Sequence, residues 1–439
     1  MLNKFFHLQE KGTDIRTEII AGITTFMTMA YIIFVNPIIL GDAGLNPGAV
    51  MVATCLAAGL TTIIMGCYVN IPIALAPGMG LNAFFAYTVV GGMGLPWQVA
   101  LGSVFISGIV FIILTVTKIR EIIVYAIPLD LKRSITVGIG LFITLIGFKA
   151  GGIVVGNEAT LVGLGNLAEP AAIITIFGLI FTVVLTALRV KGSILIGILV
   201  STVVAMFLGV AKVPTGLSDI ISLPPSIAPT FLQLDLMGAL GIGLINIILT
   251  FTFVELFDTL GTLVGTLGRA NLLDKEGKSP LLGKAMMVDA FAIPCGALLG
   301  TSTITAYVES GSGVAAGGRT GLTALTTGVL FLGALFLAPL AGLVPAAATA
   351  PALIIVGLFM MSSVTEIDFH DFTNGMPAFL TIVMMPFTYS IAYGIFFGIL
   401  SYTTLKILTG RWKEVHWMMY VLAAIFVLKQ ILALFGMHI

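Results

Sequence analysis

Charged side chains are scarce in this sequence. Lys, Arg, Asp and Glu make up 9% of the 439 residues, while apolar residues make up 58%. Soluble proteins carry about 25% charged residues, so too few polar side chains remain here to cover a surface that faces water. This composition excludes an ordinary soluble protein and predicts one that lies in a lipid bilayer.

Other features are missing as well, and each absence excludes a class of protein. Lys and Arg balance Asp and Glu at 20 residues each, so no basic surface for nucleic acid is expected. The three cysteines lack metal-ligand spacing and no nucleotide-binding loop occurs, which disfavours a metal site and an ATP-driven pump. Because no His/Asp cluster or nucleophile motif occurs either, no cofactor and no enzymatic activity are expected.

Long uncharged stretches predict the membrane-spanning segments. No charged residue occurs in 43–117, 320–365 or 372–405, and a helix needs about 20 apolar residues to cross the hydrocarbon. With charges, Pro and Gly as boundaries, the sequence predicts an all-α polytopic membrane protein with 14 transmembrane segments and an extra apolar helix at 415–436. The predicted segments are 19–41, 49–69, 72–90, 96–117, 134–148, 170–188, 192–211, 236–258, 285–299, 301–318, 320–341, 343–364, 374–389 and 391–408.

The distribution of basic residues supports this number of segments. Lys and Arg concentrate in the cytoplasmic loops of membrane proteins, and 17 of the 20 in this chain fall in alternate loops. Lys149 and Lys212 fall in the opposite loops, and Lys429 lies in the last apolar segment. The sequence therefore predicts a multi-pass protein of the cell membrane with a cytoplasmic N-terminus, 1–18.

The third segment of each half indicates an inverted repeat. Seven segments precede the polar stretch 212–235 and seven follow it, so a second half with the same architecture has to be inverted in the membrane. Two prolines and two glycines interrupt 71–80, and 300–313 combines Gly with Ser and Thr, which predicts short extended pieces and half-helices in segments 3 and 10. Bare backbone at this depth lines a cavity or is buried in protein, so a binding site is expected around Gly78 and Thr303.

Four acidic residues lie within predicted spans, where an ionisable group is costly and marks a functional site by default. They are Glu255, Asp258, Asp289 and Glu309. Asn82 is the counterpart of Glu309 in the first half. Structural roles stay open: Asp258 pairs with a basic residue at the membrane surface, Asp289 bonds to the backbone of a broken helix, and Asn82 is a satisfied core amide.

Three runs of sequence resemble a known family. They are APGMGLNAFF (76–85), FVELFDTLGTLVG (253–265) and GTSTITAYVESGSGVAAGGRTGLTAL (300–325), and they look like the signature segments of purine permeases. The branch is the azaguanine-resistance type, which transports adenine, guanine and hypoxanthine, within the wider group of nucleobase and ascorbate transporters. The resemblance covers nearly the whole chain.

This resemblance implies a division into a core domain and a gate domain, often in a homodimer. The first inverted repeat, 19–211, would comprise core 19–117 and gate 118–211. The second, 236–408, would comprise core 236–341 and gate 342–408. The segment 212–235 would connect them outside, and 409–439 would form a C-terminal segment with the extra apolar helix.

The resemblance also implies which residues act, together with the breaks at Gly78 and Thr303. The expected substrate contacts are Asn82, Glu255, Glu309, Gly78 and Thr303. The expected proton-coupling residues are Glu255, Asp258 and Asp289. A carboxylate accepts two N–H groups in its plane and an amide both donates and accepts, which suits the edges of a purine.

These features together predict a secondary transporter that imports purine nucleobases by proton symport through alternating access, with Na⁺ as the alternative coupling ion. A proton that moves down the membrane potential provides about 2.3 kcal/mol per 100 mV, so no ATP is required. An anion carrier on the same fold, of sulfate or bicarbonate type, is a second possibility, disfavoured because no Arg or Lys is expected inside the membrane. A uracil or xanthine permease is a third, disfavoured because those carriers resemble this chain less after the eighth-span acid.

Overall fold

Helices make up most of the structure, as expected for a chain that has to satisfy its backbone polar groups in lipid. The computed structural model describes residues 2–117, 119, 126–241, 245–272 and 279–434. Within these ranges the description leaves out the side chains of residues 245, 246, 257, 258, 260, 261 and 428–434.

The first half of the chain contains nine described helices and three short strands. The helices are α1 (Leu2–Phe5), α2 (Ile15–Met29), α3 (Ile32–Asp42), α4 (Pro47–Ile64), α5 (Met79–Ala83), α6 (Trp97–Val116), α7 (Leu129–Ala150), α8 (Pro170–Ala187) and α9 (Ser193–Phe207). The strands are β1 (Leu75–Pro77), β2 (Val154–Asn157) and β3 (Leu161–Leu164), and π-helical turns at Met65–Val69 and Phe84–Gly92 continue α4 and α5.

The second half of the chain repeats this pattern of long helices around one short strand. The helices are α10 (Leu236–Ala239), α11 (Ile245–Arg269), α12 (Pro280–Leu299), α13 (Ser310–Ala315), α14 (Gly321–Gly333), α15 (Ala338–Leu343), α16 (Ala346–Met361), α17 (Phe372–Phe387), α18 (Ile391–Leu408) and α19 (Trp417–Leu434). The strand is β4 (Ile304–Ala306). Local sequence sets several helix starts: Asn46 caps α4 and Ser279 caps α12, and each is followed by a proline at the first helical position.

Among the described residues, nine helices or joined helices are long and apolar enough to cross a membrane. This confirms a multi-span, all-α membrane protein. Two helices extend past the predicted boundaries. Segment 236–258 corresponds to α11, which continues beyond Asp258 to Arg269, so Glu255 lies midway along the helix. Helix α2 begins at Ile15, before the predicted boundary at residue 18, and Glu18 is fully buried. The extent of the cytoplasmic N-terminus stays a prediction.

The two interrupted segments meet at the centre of the fold. Strands β1 and β4 pair antiparallel, with Ala76 opposite Thr305 in the middle of the register. The short helix α5 follows β1 and α13 follows β4. This confirms the prediction of an extended piece and a half-helix in each segment, and it places bare backbone inside the protein, where the strands satisfy one another.

Glycines allow the closest helix contacts. Gly59 on α4 and Gly66 on the π-helical turn that continues it face Gly328 and Gly321 on α14, and the two glycines on each side are seven positions apart in the sequence. A Cβ atom on Gly321 would collide with the backbone of Gly66, so only glycine permits this approach. Small residues at such crossings are typical of membrane helices, which associate by van der Waals packing.

The helices form two groups that alternate along the chain. The crossing group comprises α2–α6 and α11–α15, where α12 packs on α6 and α14 packs on α4 and α2. The flanking group comprises α7–α9 and α16–α18, where α7 packs on α16 and α17. Packing within each group is more extensive than packing between the groups, and helix α19 lies against α18.

Candidate functional site

A cavity of about 1290 Å³ lies between the crossing group and the flanking group. Tyr31 and Glu309 belong to its wall on the crossing side, and Ile139, Ser193 and Val356 belong to its wall on the flanking side. Binding pockets for small molecules typically have volumes of about 300–1,000 Å³. The cavity is therefore large enough for a small ligand and the water around it.

Glu309 presents a carboxylate to this cavity. It is the residue before the first turn of α13, and it is half-buried. The hydroxyl of Tyr31, which lies between α2 and α3, donates to Oε1 at 2.8 Å. No other described residue donates a hydrogen bond to Oε2, so this oxygen can accept from a ligand with N–H donors.

Gly78 forms the opposite edge of the crossing. It precedes α5 in extended conformation, lines the cavity, and donates its N–H to the carbonyl oxygen of Thr303 at 3.0 Å. A Cβ atom here would lie 2.9 Å from Cγ2 of Thr305, so a larger residue would push the strands apart. The hydroxyl of Tyr307 donates to the carbonyl of Pro77 at 2.5 Å, which locks β1 to β4 next to Gly78.

Asn82 lies in a buried polar cluster behind the crossing. Its Nδ2 donates to Oδ1 of Asn36 at 2.7 Å, and its Oδ1 accepts from the hydroxyl of Ser302. Asn36 in turn donates to the hydroxyls of Thr54 and Thr301 at 2.7 and 2.9 Å. The amide of Asn82 is fully buried, and both its nitrogen and its oxygen make a hydrogen bond inside the protein. These bonds tie α3 and α5 to the start of the second broken segment.

The buried acids of α11 and α12 converge on one hydroxyl. Oγ1 of Thr259 donates to Oδ2 of Asp289 at 2.8 Å and lies 3.5 Å from Oε1 of Glu255. It also lies 3.1 Å from Oγ1 of Thr305 on β4. Asp289 accepts a second hydrogen bond from the backbone N–H of Ala306 at 3.0 Å, so its carboxylate is anchored to the crossing strand.

The predicted site residues with described side chains form two sets, one that lines the cavity and one that is buried behind its wall. Those that line the cavity are Gly78 and Glu309. Those that are buried behind its wall are Asn82, Thr303, Glu255 and Asp289. The side chain of Asp258 lies outside the described residues. Direct contact of the four buried residues with a substrate stays a prediction.

Two basic side chains belong to the cavity wall. They are Arg269, at the end of α11, and Lys191, before α9. Both are exposed, and the guanidinium of Arg269 lies close to Gly311 on α13. Arg269 lines the cavity because α11 continues past its predicted end at Asp258. The cavity is therefore not lined by acids alone.

Sequence reasoning missed Tyr31, Thr259 and Thr305. Thr259 follows Glu255 by one helical turn, a spacing that places both side chains on one face. Thr305 follows Thr303 by two residues, so both lie on one face of an extended segment. Tyr31 sits in an apolar run, where its hydroxyl needs a partner when buried, but only the fold identifies Glu309 as that partner.

Glu18 is a buried acid of a different kind. Its carboxylate accepts from the backbone N–H of Arg319, Thr320 and Thr323 at 2.8, 3.3 and 3.2 Å, and from the hydroxyl of Thr323 at 2.6 Å. It thus caps the start of α14 from α2, where N–H groups lack partners within the helix. Its position before the first predicted span hid this role.

Comparison with known proteins identifies relatives of the whole chain. A putative permease of Methanocaldococcus jannaschii is 55% identical over 98% of this chain and 98% of its own length. The adenine permease AdeQ of Escherichia coli is 47% identical over 98% and 96%. The guanine/hypoxanthine permease PbuG of Bacillus subtilis is 48% identical over 97% and 99%.

Solved structures show which fold this is. The transmembrane domain of the cyanobacterial bicarbonate transporter BicA matches with a TM-score of 0.64 at 14% identity, over 87% of this chain and 97% of that one. The murine anion transporter Slc26a9 in the inward-facing state matches with a TM-score of 0.64 at 12% identity, over 90% and 68%. At this identity the likeness shows the fold alone.

A family match covers most of the chain. The sequence pattern of the family named Xan_ur_permease, described as the permease family, matches residues 16–397. Together with the whole-length relatives, this match means that the chain belongs to the permease family, whose members are membrane transporters and not enzymes.

Proposed function

We propose that this chain is a secondary active transporter that imports purine nucleobases by proton symport. The observation that carries the proposal is the carboxylate of Glu309, which faces a cavity beside the two broken segments. Relatives that match along the whole chain are named adenine permease and guanine/hypoxanthine permease. The substrate class follows from these names together with an acceptor group placed where a flat heterocycle can reach it.

The chemistry of a purine fits the residues that line the crossing. A purine is neutral near pH 7, and its edges carry N–H donors that a carboxylate accepts. Glu309 would take the donors of one edge, and the backbone around Gly78 would lie along the ring. Glu255 and Thr303 would complete the site from behind the wall, and Asn82 would support it by fixing the position of α5. Micromolar affinity corresponds to about −8 kcal/mol, which requires most polar edges of so small a ligand to be paired.

The arrangement of the helices supports two inverted seven-segment repeats, 19–211 and 236–408. In such a repeat α2, α4, α6 and α7 correspond to α11, α12, α14 and α16. Packing of α6 on α12 then corresponds to packing of α14 on α4, and both contacts are present. The antiparallel pair β1–β4 lies where the axis between the repeats would pass.

The two helix groups support a division into core and gate. The crossing group would be the core, 19–117 and 236–341, and the flanking group would be the gate, 118–211 and 342–408. The cavity lies between them. Movement of one group past the other would therefore change which side of the membrane the cavity faces, as alternating access requires.

Charge distribution supports the orientation. Lys191 and Arg269, together with Glu366, line the exposed end of the cavity. The positive-inside rule assigns both basic residues to the cytoplasmic side. With a cytoplasmic N-terminus, the cavity in this structure would face the cytoplasm. The conformation would be inward-facing.

Buried acids support coupling to protons. Glu255 and Asp289 contact the same hydroxyl of Thr259, and two negative charges this close in a low-dielectric interior repel each other. Binding of one proton relieves this repulsion. Asp258 completes the proposed coupling set. We propose H⁺ as the coupling ion, with Na⁺ as the alternative.

A second candidate substrate is an inorganic anion. The fold matches a bicarbonate transporter and an anion transporter, and Arg269 and Lys191 line the cavity. However, the available oxygen of Glu309 faces the same space and would repel an anion. Uracil and xanthine are further candidates, since they carry similar N–H donors.

Uptake by proteoliposomes tests the proposal. Radiolabelled adenine, guanine, hypoxanthine, uracil and xanthine would be supplied with an acidic exterior, with a Na⁺ gradient or with neither gradient. We expect purine accumulation under the pH gradient, inhibition by excess unlabelled purine and no inhibition by sulfate or bicarbonate. Uptake that sulfate or bicarbonate suppresses and purines do not would assign the chain to the anion carriers.

A further inference from the structure

A chain of two hydroxyl groups connects the cavity to the buried acids. Thr305 contributes to the cavity wall from β4. Its Oγ1 lies 3.1 Å from Oγ1 of Thr259, which lies 2.8 Å from Oδ2 of Asp289. In the part of the chain that the structure describes, Thr259, Asp289 and Glu255 are buried and line no part of the cavity. A proton that reaches these acids from the cavity thus meets Thr305 first.

The hydroxyl of Thr259 has more neighbouring acceptors than protons to donate. A hydroxyl has one proton to donate and accepts up to two hydrogen bonds. Thr259 faces the carboxylates of Asp289 and Glu255 and the hydroxyl of Thr305. It cannot donate to both carboxylates at once, and in this arrangement its proton serves Asp289, the nearer acid.

We propose that Thr305 and Thr259 form the relay through which protons move between the cavity and the Asp289–Glu255 pair. This inference rests on the proposed function, since it concerns how a purine transporter would load its coupling ion. It adds two relay residues that the acids alone do not supply.

Each transfer conserves protons. A hydronium ion in the cavity gives one proton to Oγ1 of Thr305, Thr305 passes its own hydroxyl proton to Oγ1 of Thr259, and Thr259 passes its proton to Oδ2 of Asp289. Both hydroxyls end with one proton each, Asp289 becomes neutral, and water remains in the cavity. Release to the other side of the membrane reverses the same steps after the helix groups have moved.

The surroundings offer few other groups that exchange protons. Helices α4 and α6, which pack on α12, carry no Asp, Glu, His, Lys or Arg. The other titratable groups on α12 itself are Lys284 and Cys295. Those on the elements around it are Glu255, Asp258 and Arg269 on α11, Glu309 before α13, Tyr307 after β4, Cys55 on α4, and Cys67 and Tyr68 on the π-helical turn after α4. Of the carboxyl groups in this set with described side chains, only Glu255 contacts the hydroxyl that Asp289 contacts.

Substitutions that remove only the hydroxyl test the relay. Thr259→Val and Thr305→Val keep the shape of the side chain, whereas Thr259→Ser and Thr305→Ser keep the hydroxyl. Thr252→Val is the matched control, because Thr252 is also buried on α11 and donates only to the carbonyl of Ile248 at 2.8 Å. Three measurements in proteoliposomes follow: purine exchange without a gradient, accumulation under an acidic exterior, and purine-driven proton entry reported by a trapped pH dye.

We expect both valine variants to exchange purine within about threefold of the wild type, because the proton stays bound during exchange. Accumulation and proton entry should fall at least about tenfold, and the pH profile of uptake should flatten. Both serine variants and Thr252→Val should match the wild type.

Several outcomes would overturn the relay and are distinct from failure of the proposed function. Normal proton entry in both valine variants would overturn it, and so would serine variants that fail like the valine variants. If a valine variant loses exchange, the smaller Thr259→Ala or Thr305→Ala replaces it, and loss of exchange there as well assigns the hydroxyl to folding or purine binding instead. A wild type that exchanges purine without response to pH would overturn proton coupling and the relay together, whereas a wild type without purine exchange would overturn the proposed function.

Discussion

The two broken segments share a backbone plan, but their side chains do different work. In the first segment, β1 and α5 direct the amide of Asn82 into a closed network with Asn36 and Ser302. In the second, β4 and the turn before α13 bring Thr305 and Glu309 to the cavity. The two segments therefore share a shape but differ in chemistry: the first holds the crossing together through Asn82, and the second carries the acid that lines the cavity.

The helical ends of the two broken segments also differ in what they contact. The π-helical turn that continues α5 closes against the flanking group, where the hydroxyl of Thr88 donates to the carbonyl of Tyr389 at 2.9 Å. Nearby, the hydroxyl of Tyr87 donates to Asp42 at 2.8 Å, and Lys149 lies 5.2 Å from the ring of Tyr389. Helix α13 instead borders the open cavity. In an alternating-access cycle, the end of the first segment would open while α13 would close against the flanking group.

The largest expected effect belongs to the second segment. Glu309→Gln keeps the size of the side chain but removes the charge that strengthens hydrogen bonds from N–H donors. We expect purine binding to weaken by about 2 kcal/mol, or roughly thirtyfold, in a direct binding assay on purified protein. Tyr31→Phe, which removes only the partner of Oε1, serves as the milder control. Unchanged affinity of the Gln variant would remove Glu309 from the site.

The first segment should respond in stability more than in affinity. Asn82→Leu leaves Oδ1 of Asn36 and the hydroxyl of Ser302 without their partner, at a cost of about 1–3 kcal/mol for each unsatisfied group. We expect the detergent-solubilised protein to unfold at a clearly lower temperature, while purine affinity of the folded fraction changes less than about threefold. Asn36→Leu should behave alike, because it breaks the same network. A large loss of affinity at unchanged stability would restore direct contact between Asn82 and the substrate.

A smaller effect is expected in residues 84–92, where the end of the first broken segment packs against the flanking group. Tyr87→Phe removes one hydrogen bond worth about 1 kcal/mol, so the closed arrangement should lose population by roughly fivefold. Hydrogen exchange of residues 84–92 should then be faster than in the wild type. Tyr420→Phe, which loses a hydrogen bond to the carbonyl of Trp412 in another part of the protein, should leave that region unchanged. Equal exchange in both variants would show that Tyr87 does not hold this end closed.

The comparison also explains how far the sequence could predict the molecule. Long uncharged runs identify a multi-span protein because a span is defined locally, by length and hydropathy. The breaks near Gly78 and Thr303 are visible for the same reason, since Pro and Gly act on the backbone where they occur. An acid inside a span, such as Glu309, also stands out locally. Predicting these features required no knowledge of which residues are in contact in the folded protein.

The sequence could not predict contacts between residues that lie far apart in the chain. Tyr31 and Glu309 are 278 positions apart, and Asn36 and Thr301 are 265 apart. The sequence could not show that the amide of Asn82 bonds to Asn36 and Ser302, nor that Thr259 lies between two acids. It also placed the end of α11 at Asp258 instead of Arg269, because an acid was taken as a boundary, and so left Arg269 out of the cavity.

The smallest expected effect lies away from both broken segments, in a cluster where α17 begins and α18 ends. Hydrogen bonds from Thr373 and then Arg411 hold the pKa of Asp371 at about 2, and those from Arg411 and then Lys406 hold the pKa of Glu414 at about 2. Because both values lie below the ordinary ones, this stabilisation is complete above about pH 5 and is lost as the pH falls toward 2. Arg411→Ala should therefore lower the unfolding temperature by about 1–2 °C at pH 7, and the difference from the wild type should shrink between pH 5 and pH 3. Purine affinity should stay unchanged, because Arg411 contacts neither segment; a loss of affinity would mean that the flanking group shapes the site as strongly as the crossing does.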